Sequence, residues 1–140
     1  LQDCDGNPVS LHDYCGNKKA VWFVLVAGWC TACDSYAPDA NAMWKEYEEM
    51  GLQLIFILGE TPSQGVPSLG YCKTWASSHN VTAPVLVDSH WQTIDSKITP
   101  GGFDLPWDYL LDGDDMTFKW ESVNYTPAAF QQQLNNLLYD

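Results

Sequence analysis

Two cysteines, Cys30 and Cys33, stand either side of Thr31-Ala32 and directly after Trp29. Thiols at this spacing can close a small disulfide ring, so the pair can exist as a dithiol or as a disulfide. The attacking form of a cysteine is its thiolate. Unpaired backbone N–H groups and the positive end of a helix dipole favour that form. Cys30 is read as the attacking thiolate and Cys33 as the resolving thiol. Attack on a substrate disulfide gives a mixed disulfide, and Cys33 then displaces the product. Asp34 follows at once. A carboxylate suits the first turn of a helix, but it disfavours a second anion at Cys30.

That chemistry needs a strand before the motif and a helix after it. Ala20–Ala27 is almost purely apolar and β-branched, the pattern of a strand covered on both faces. Thr31–Met50 is expected as a helix, with Ala37, Met43, Trp44, Tyr47 and Met50 as its buried stripe and Gly51 as its stop. Leu52–Leu58 reads as a second buried strand. Leu69–Ser78 is expected as a helix and Val85–Val87 as a short strand ending at Asp88. Trp107–Leu111 and Met116–Glu121 flank Asp112-Gly113-Asp114-Asp115 and predict a hairpin. Thr126–Tyr139 closes the chain as a helix, with Thr126 as N-cap and Pro127 at the first helical position. Leu1–Leu11 is expected to form a hairpin around Asp5-Gly6-Asn7-Pro8. The whole is one α/β domain over residues 1–140, a mixed sheet with helices on both faces.

Composition removes other classes. Six lysines, no arginine and 18 acidic residues leave a net charge of −12. Such a surface repels phosphate backbones, so no nucleic-acid partner is expected. No apolar run approaches the roughly 20 residues a membrane helix needs. A structural zinc site calls for four ligands, usually a second C-x-x-C or a close histidine pair. Here His12, His79 and His90 are scattered. Haem attachment needs histidine after the second cysteine, where Asp34 stands.

The remaining cysteines are Cys4, Cys15 and Cys72. Cys4 and Cys15 flank the Asp5–Pro8 turn, and the expectation is a structural disulfide between them. Cys72 is placed at the start of a helix, on the same rim as the dithiol, either as a third redox thiol or as an inert buried one. Five cysteines in 140 residues point to an oxidising compartment.

The Trp-Cys-x-x-Cys motif after an apolar strand, with Pro38 five residues beyond Cys33, resembles the thioredoxin superfamily. The segment DGNPVSLHDYCGNKKAVWFVL is similar to the entry segment of the branch related to alkyl hydroperoxide reductase/thiol-specific antioxidant proteins. LQLIFILGE, VTAPVLVD and LPWDYLLDGDD fall where that branch has its next strands. The subgroup resembled is the bacterial extracytoplasmic reductases of the cytochrome c-maturation type.

The resemblance implies a thioredoxin-like fold, here with an N-terminal hairpin extension. It implies a cis proline facing the dithiol, for which Pro106 in Asp104-Leu105-Pro106-Trp107 is the candidate and Pro84 a rival. It implies an acidic residue near the dithiol. Glu60 ends the second buried strand, and as a partly buried carboxylate it can shuttle the Cys33 proton. Thioredoxin itself has a buried aspartate within the dithiol strand, where this chain has Val24. Trp29, Leu105 and Trp107, with Tyr71, are the candidate substrate-contacting surface.

The expected function is thiol-disulfide exchange, in the reducing direction, on protein disulfides. The expected partners are a protein disulfide or dithiol substrate and a second redox protein that recycles the pair. The chain is expected to act as a monomer without cofactor or metal. Its expected location is extracytoplasmic: periplasmic, secreted, or membrane-anchored through a segment before Leu1. Three alternatives stand beside this reading. A peroxidase would need Thr or Ser three residues before the thiolate and an arginine, but Ala27 stands there and arginine is absent. A copper-handling module could use the two thiolates with His79 or His90. A redox-inert binding domain could share the fold.

Overall fold

The computed structural model describes residues 1–94, 105–122 and 127–139. Among these, six strands form one sheet: β1 Gln2–Asp3, β2 Ala20–Val26, β3 Leu52–Leu58, β4 Val85–Val87, β5 Trp107–Asp112 and β6 Phe118–Ser122. Their order is β1-β4-β3-β2-β5-β6. β2, β3 and β4 run parallel, while β1, β5 and β6 are antiparallel to their neighbours. The two apolar runs of the sequence are the two central strands, and every residue of both is buried. Parallel strands covered on both faces need this continuous apolar composition.

Among the described residues the helices α1 Thr31–Tyr47, α2 Leu69–Ser78 and α3 Pro127–Leu138 flank the sheet. α1 ends three residues earlier than expected, and Glu48–Met50 tightens into a 3-10 turn that Gly51 stops at φ 109°. Register places Trp22, Val24, Leu54, Phe56, Asp108 and Leu110 on one face. α1 packs there, with the Trp44 indole donating to the Leu52 carbonyl at 2.9 Å. Trp75 of α2 packs against Phe56, and Phe130 of α3 against Trp22. Buried Asn41 ties α1 to the loop before β4: its Oδ1 accepts from the amides of Thr82 and Ala83, both at 3.0 Å. The other face carries Phe23, Tyr109 and Phe118 in mutual ring contact.

The N-terminal turn forms as expected, with the Asp3 carboxylate accepting from the Asp5 and Asn7 amides at 2.9 Å. The expected hairpin is reduced to a bridge between Gln2 and Pro8, because β1 extends the main sheet beside β4. The expected Thr126 cap lies outside the described residues.

The expected Cys4–Cys15 disulfide is corrected. Cys4 is bonded to Cys72 of α2, with Cα atoms 5.3 Å apart, and Cys15 is a free thiol. After Pro8 the returning chain pairs only as far as Val9 against Leu1 and runs on away from Cys4. Ser10 caps a 3-10 turn at Leu11–Tyr14. That turn carries Cys15 to the β5–β6 turn, where its Sγ lies 3.3 Å from the Asp114 carbonyl. Cys4 instead leaves β1 at the sheet edge on which α2 packs.

Candidate active site

Cys30 follows β2 and is the N-cap residue of α1. Its sulfur accepts the Cys33 amide at 3.1 Å, so one of the unpaired donors of the helix start already faces it. Cys30 and Cys33 are joined as a disulfide, 4% and 0% exposed respectively. The dithiol sulfurs therefore sit at the lip of the core. Trp29, beside them, is 41% exposed.

The ladder between β2 and β3 continues past the strand ends. The Gly59 amide donates to Val26 and the Gly28 amide to Glu60, at 3.1 and 2.8 Å. These two bonds fix Glu60 against Trp29. A side chain at Gly28 would overlap the Tyr71 hydroxyl and Pro62, and one at Gly59 would overlap the Trp91 indole. Both glycines are required by close approach rather than by turn geometry.

Glu60 has two partners. The Trp29 indole donates to its Oε1 at 2.8 Å, and His90 Nδ1 lies 2.6 Å from its Oε2. The carboxylate is largely covered, with a side-chain exposure of 16%. From sequence, His90 is named only for the copper-handling alternative and is not paired with Glu60. Its signal was positional: it stands just beyond β4, and β4 pairs with β3, so both chain ends reach the same rim. A second histidine meets the other carboxylate of the motif. His79, at the end of α2, brings Nε2 to 2.9 Å from Asp34 Oδ1.

The Leu105–Pro106 peptide bond is cis. Leu25 pairs with Trp107, so the next register position sets buried Pro106 beside the end of β2 and Leu105 beyond it. Trp107 turns to the opposite face, where its ring stacks on Tyr109 at 6.1 Å. The surface next to the sulfurs thus consists of Trp29, half-buried Leu105 and Tyr71, whose hydroxyl lies against Gly28. Burial raises the Tyr71 pKa above its usual value, and the Asp34 charge adds to that. Cys72 lies away from this rim, fully buried in its bond to Cys4.

One further ionisable group lies beneath α1. Asp108 is wholly buried and faces Val24 across the β2–β5 ladder. Its Oδ1 accepts from the Trp22 indole at 2.8 Å and from the Tyr36 hydroxyl. Desolvation pushes its pKa up to about 6, against the lowering effect of those two hydrogen bonds. Among the described residues no three His, Cys, Asp or Glu side chains are grouped to hold a metal ion.

The arrangement is a disulfide at a strand–helix junction, flanked by a cis proline and a hydrogen-bonded carboxylate. Its likeness to known proteins agrees with that chemistry. The model of the AhpC/TSA family matches residues 1–114. The thiol-disulfide oxidoreductase ResA of Bacillus thuringiensis subsp. konkukian is 26% identical over 137 residues, covering 98% of this chain and 73% of that protein. The ResA of Geobacillus thermodenitrificans is 25% identical, covering 98% and 72%. A Chlorobium tepidum structure described as a thiol:disulfide interchange protein DsbE superposes with a TM-score of 0.78 at 21% identity, over 99% of this chain and 91% of that one. A Bacteroides thetaiotaomicron structure described as a protein disulfide isomerase gives 0.78 at 21%, over 100% and 85%. The fold is thioredoxin-like, a mixed sheet with flanking helices.

Proposed function

We propose, from the premise that this chain belongs to the AhpC/TSA family, that it reduces disulfide bonds in other proteins. The chain is a thiol-disulfide oxidoreductase of the kind named in its ResA relatives. The observation that carries the reading is the Cys30–Cys33 disulfide at the start of α1, with Cys33 N–H on the Cys30 sulfur.

Reduced Cys30 attacks a substrate disulfide as the thiolate, one substrate sulfur leaves with a proton, and a mixed disulfide forms. Cys33 then attacks the Cys30 sulfur, loses its own proton, and releases the reduced substrate. Cys33 is fully buried, so its proton needs a nearby acceptor. Glu60 is the candidate, held at the rim by Trp29 and His90. Trp29, Leu105 and Tyr71 form the contact surface for the substrate chain, cis Pro106 shapes its floor, and Trp107, turned to the other sheet face, stays outside it. A second dithiol protein returns electrons to the pair. An extracytoplasmic location fits the Cys4–Cys72 disulfide, which an oxidising compartment preserves.

The test is a redox titration with alkylation and mass mapping of all five thiols, run beside reduction of a disulfide-bonded protein. The reading expects Cys30 and Cys33 to interconvert reversibly, and the Cys30→Ser variant to lose the reductase activity. A Cys30–Cys33 pair that cannot be cycled, or a Cys30→Ser variant that still reduces the substrate, overturns it.

A further inference from the structure

Four polar side chains are buried among the described residues: Asn41, Gln53, Asp88 and Asp108. Asn41 bonds the Thr82–Ala83 loop, Gln53 donates to the Leu54 carbonyl, and both Asp88 oxygens accept amides of Thr93 and Ile94. Each of these has a packing purpose. Asp108 differs. Its Oδ1 takes two hydrogen bonds while its buried Oδ2 takes none. A buried ionised carboxylate wants acceptor bonds at both oxygens. A carboxyl carrying its proton on the bare oxygen leaves far less charge unsolvated.

Its neighbours place this group in the redox machinery. Tyr36, which donates to it, stands one helical turn beyond Cys33 on α1. Asp108 itself stands two residues beyond cis Pro106 on β5, on the sheet face that α1 covers. The Tyr36–Asp108 bond therefore joins the helix carrying the sulfurs to the strand carrying the proline. The titratable group that meets Asp108 from α1 is Tyr36, with exposed Asp39 at the edge of a cavity of about 110 Å³ beside Tyr36, and buried Cys33 stands one turn before Tyr36 on the same helix. β2 contributes the Trp22 indole, against which the Phe130 ring of α3 packs. Reduction of the disulfide puts negative charge on sulfur above this face, where water is excluded. That charge disfavours ionisation of a second acid nearby.

We propose that Asp108 is a positioning residue whose protonation is linked to the dithiol: in the pH range where it is ionised in the oxidised protein, it takes up a proton when Cys30–Cys33 is reduced and returns it on oxidation. The balanced step consumes the disulfide, the Asp108 carboxylate, two electrons and two protons. It yields the Cys30 thiolate, the Cys33 thiol and the Asp108 carboxyl. The recycling dithiol protein supplies the electrons and solvent supplies the protons. Without Asp108 the same step takes up one proton. The inference rests on the exchange reading above, since it requires a pair that cycles.

The test measures the dithiol potential against pH in the whole chain, as wild type and as Asp108→Asn. It is paired with redox-difference infrared spectra that detect a protonated carboxyl. The oxidised protein ionises Asp108 near pH 6. Above that pH the wild type is expected to take up as much as one more proton per disulfide reduced than Asp108→Asn does. A carboxyl band should grow on reduction in the wild type only. Tyr36→Phe keeps the acid but removes a donor that favours its ionised form, so the extra uptake persists and begins at higher pH. Equal proton counts in wild type and Asp108→Asn overturn the proposal, because a purely structural residue moves the potential without changing its pH slope. Should Asp108→Asn not fold, absence of the band from both wild type and Tyr36→Phe overturns it. A pair that does not cycle fails this proposal and the exchange reading together, whereas a cycling pair with unchanged slope fails this proposal alone.

Discussion

His79 Nε2 lies 2.9 Å from Asp34 Oδ1, while its Nδ1 lies 2.7 Å from the Trp75 carbonyl oxygen. Both ring nitrogens face acceptors, an arrangement that the doubly protonated imidazole satisfies at both ends. His79 thereby engages the carboxylate that follows Cys33. Removing Asp34 as Asp34→Asn should speed alkylation of reduced Cys30 at fixed pH, and His79→Ala should slow it. Each change is expected to be about two- to fivefold, the range for a partly exposed charge pair. In the Asp34→Asn background the His79→Ala effect should vanish. A double-mutant cycle of alkylation rates checks this.

Glu60 is anchored from both sides, so its two partners test its role separately. Glu60→Gln should slow release of product from the mixed disulfide by about 10²-fold, the lower range for losing an acid–base group. His90→Ala should have a smaller effect in the same direction, because the Trp29 bond to Oε1 remains. Single-turnover kinetics that resolve formation and decay of the mixed disulfide will show whether decay alone is affected.

The stability of the fold should carry the signature of Asp108. Its folded pKa of about 6 lies above the ordinary 3.8, so burial favours the protonated form. The sign follows directly: the contribution is fully present below about pH 3.8 and is lost as pH rises through about 6. The loss is on the order of 3 kcal/mol. Asp3 and Asp115 shift the opposite way, through hydrogen bonds to their carboxylates, so the total profile mixes both signs. The difference between wild type and Asp108→Asn in urea unfolding across this window isolates the contribution of Asp108.

The second disulfide closes a long stretch of chain, with a sequence separation of 68. Loop-closure entropy assigns such a bridge about 4 kcal/mol. A Cys4→Ser/Cys72→Ser double variant should lose stability of that order in denaturant melts while keeping a cycling Cys30–Cys33 pair. Cys15→Ser should change neither property.

Much of this was legible in the chain itself. The runs at Ala20–Ala27 and Leu52–Leu58 announced buried parallel strands because nothing polar interrupts them except Gln53. The Cys30-x-x-Cys33 spacing needs only one loop to be understood, and Pro106 and Glu60 followed from the resemblance. What escaped depends on strand order. His90, His79 and Cys72 meet Glu60, Asp34 and Cys4 across separations of 30, 45 and 68 residues. No local pattern encodes such meetings. Asp108 was hidden differently: in Trp-Asp-Tyr-Leu-Leu it looks like the solvent side of a hairpin strand. The α1 helix covers that side instead.

The bond from Cys4 to Cys72 has a consequence for behaviour in crowded solution. β1 is only two residues long, yet it occupies the open edge of the sheet beside β4. Cys4, the next residue, fastens it there. If the thiols are reduced, so short a strand has little else to keep it in register, and β4 is left with a bare, apolar flank. Unprotected edges recruit strands from other molecules. Production of the chain in a reducing medium should therefore favour self-association long before the fold itself is lost.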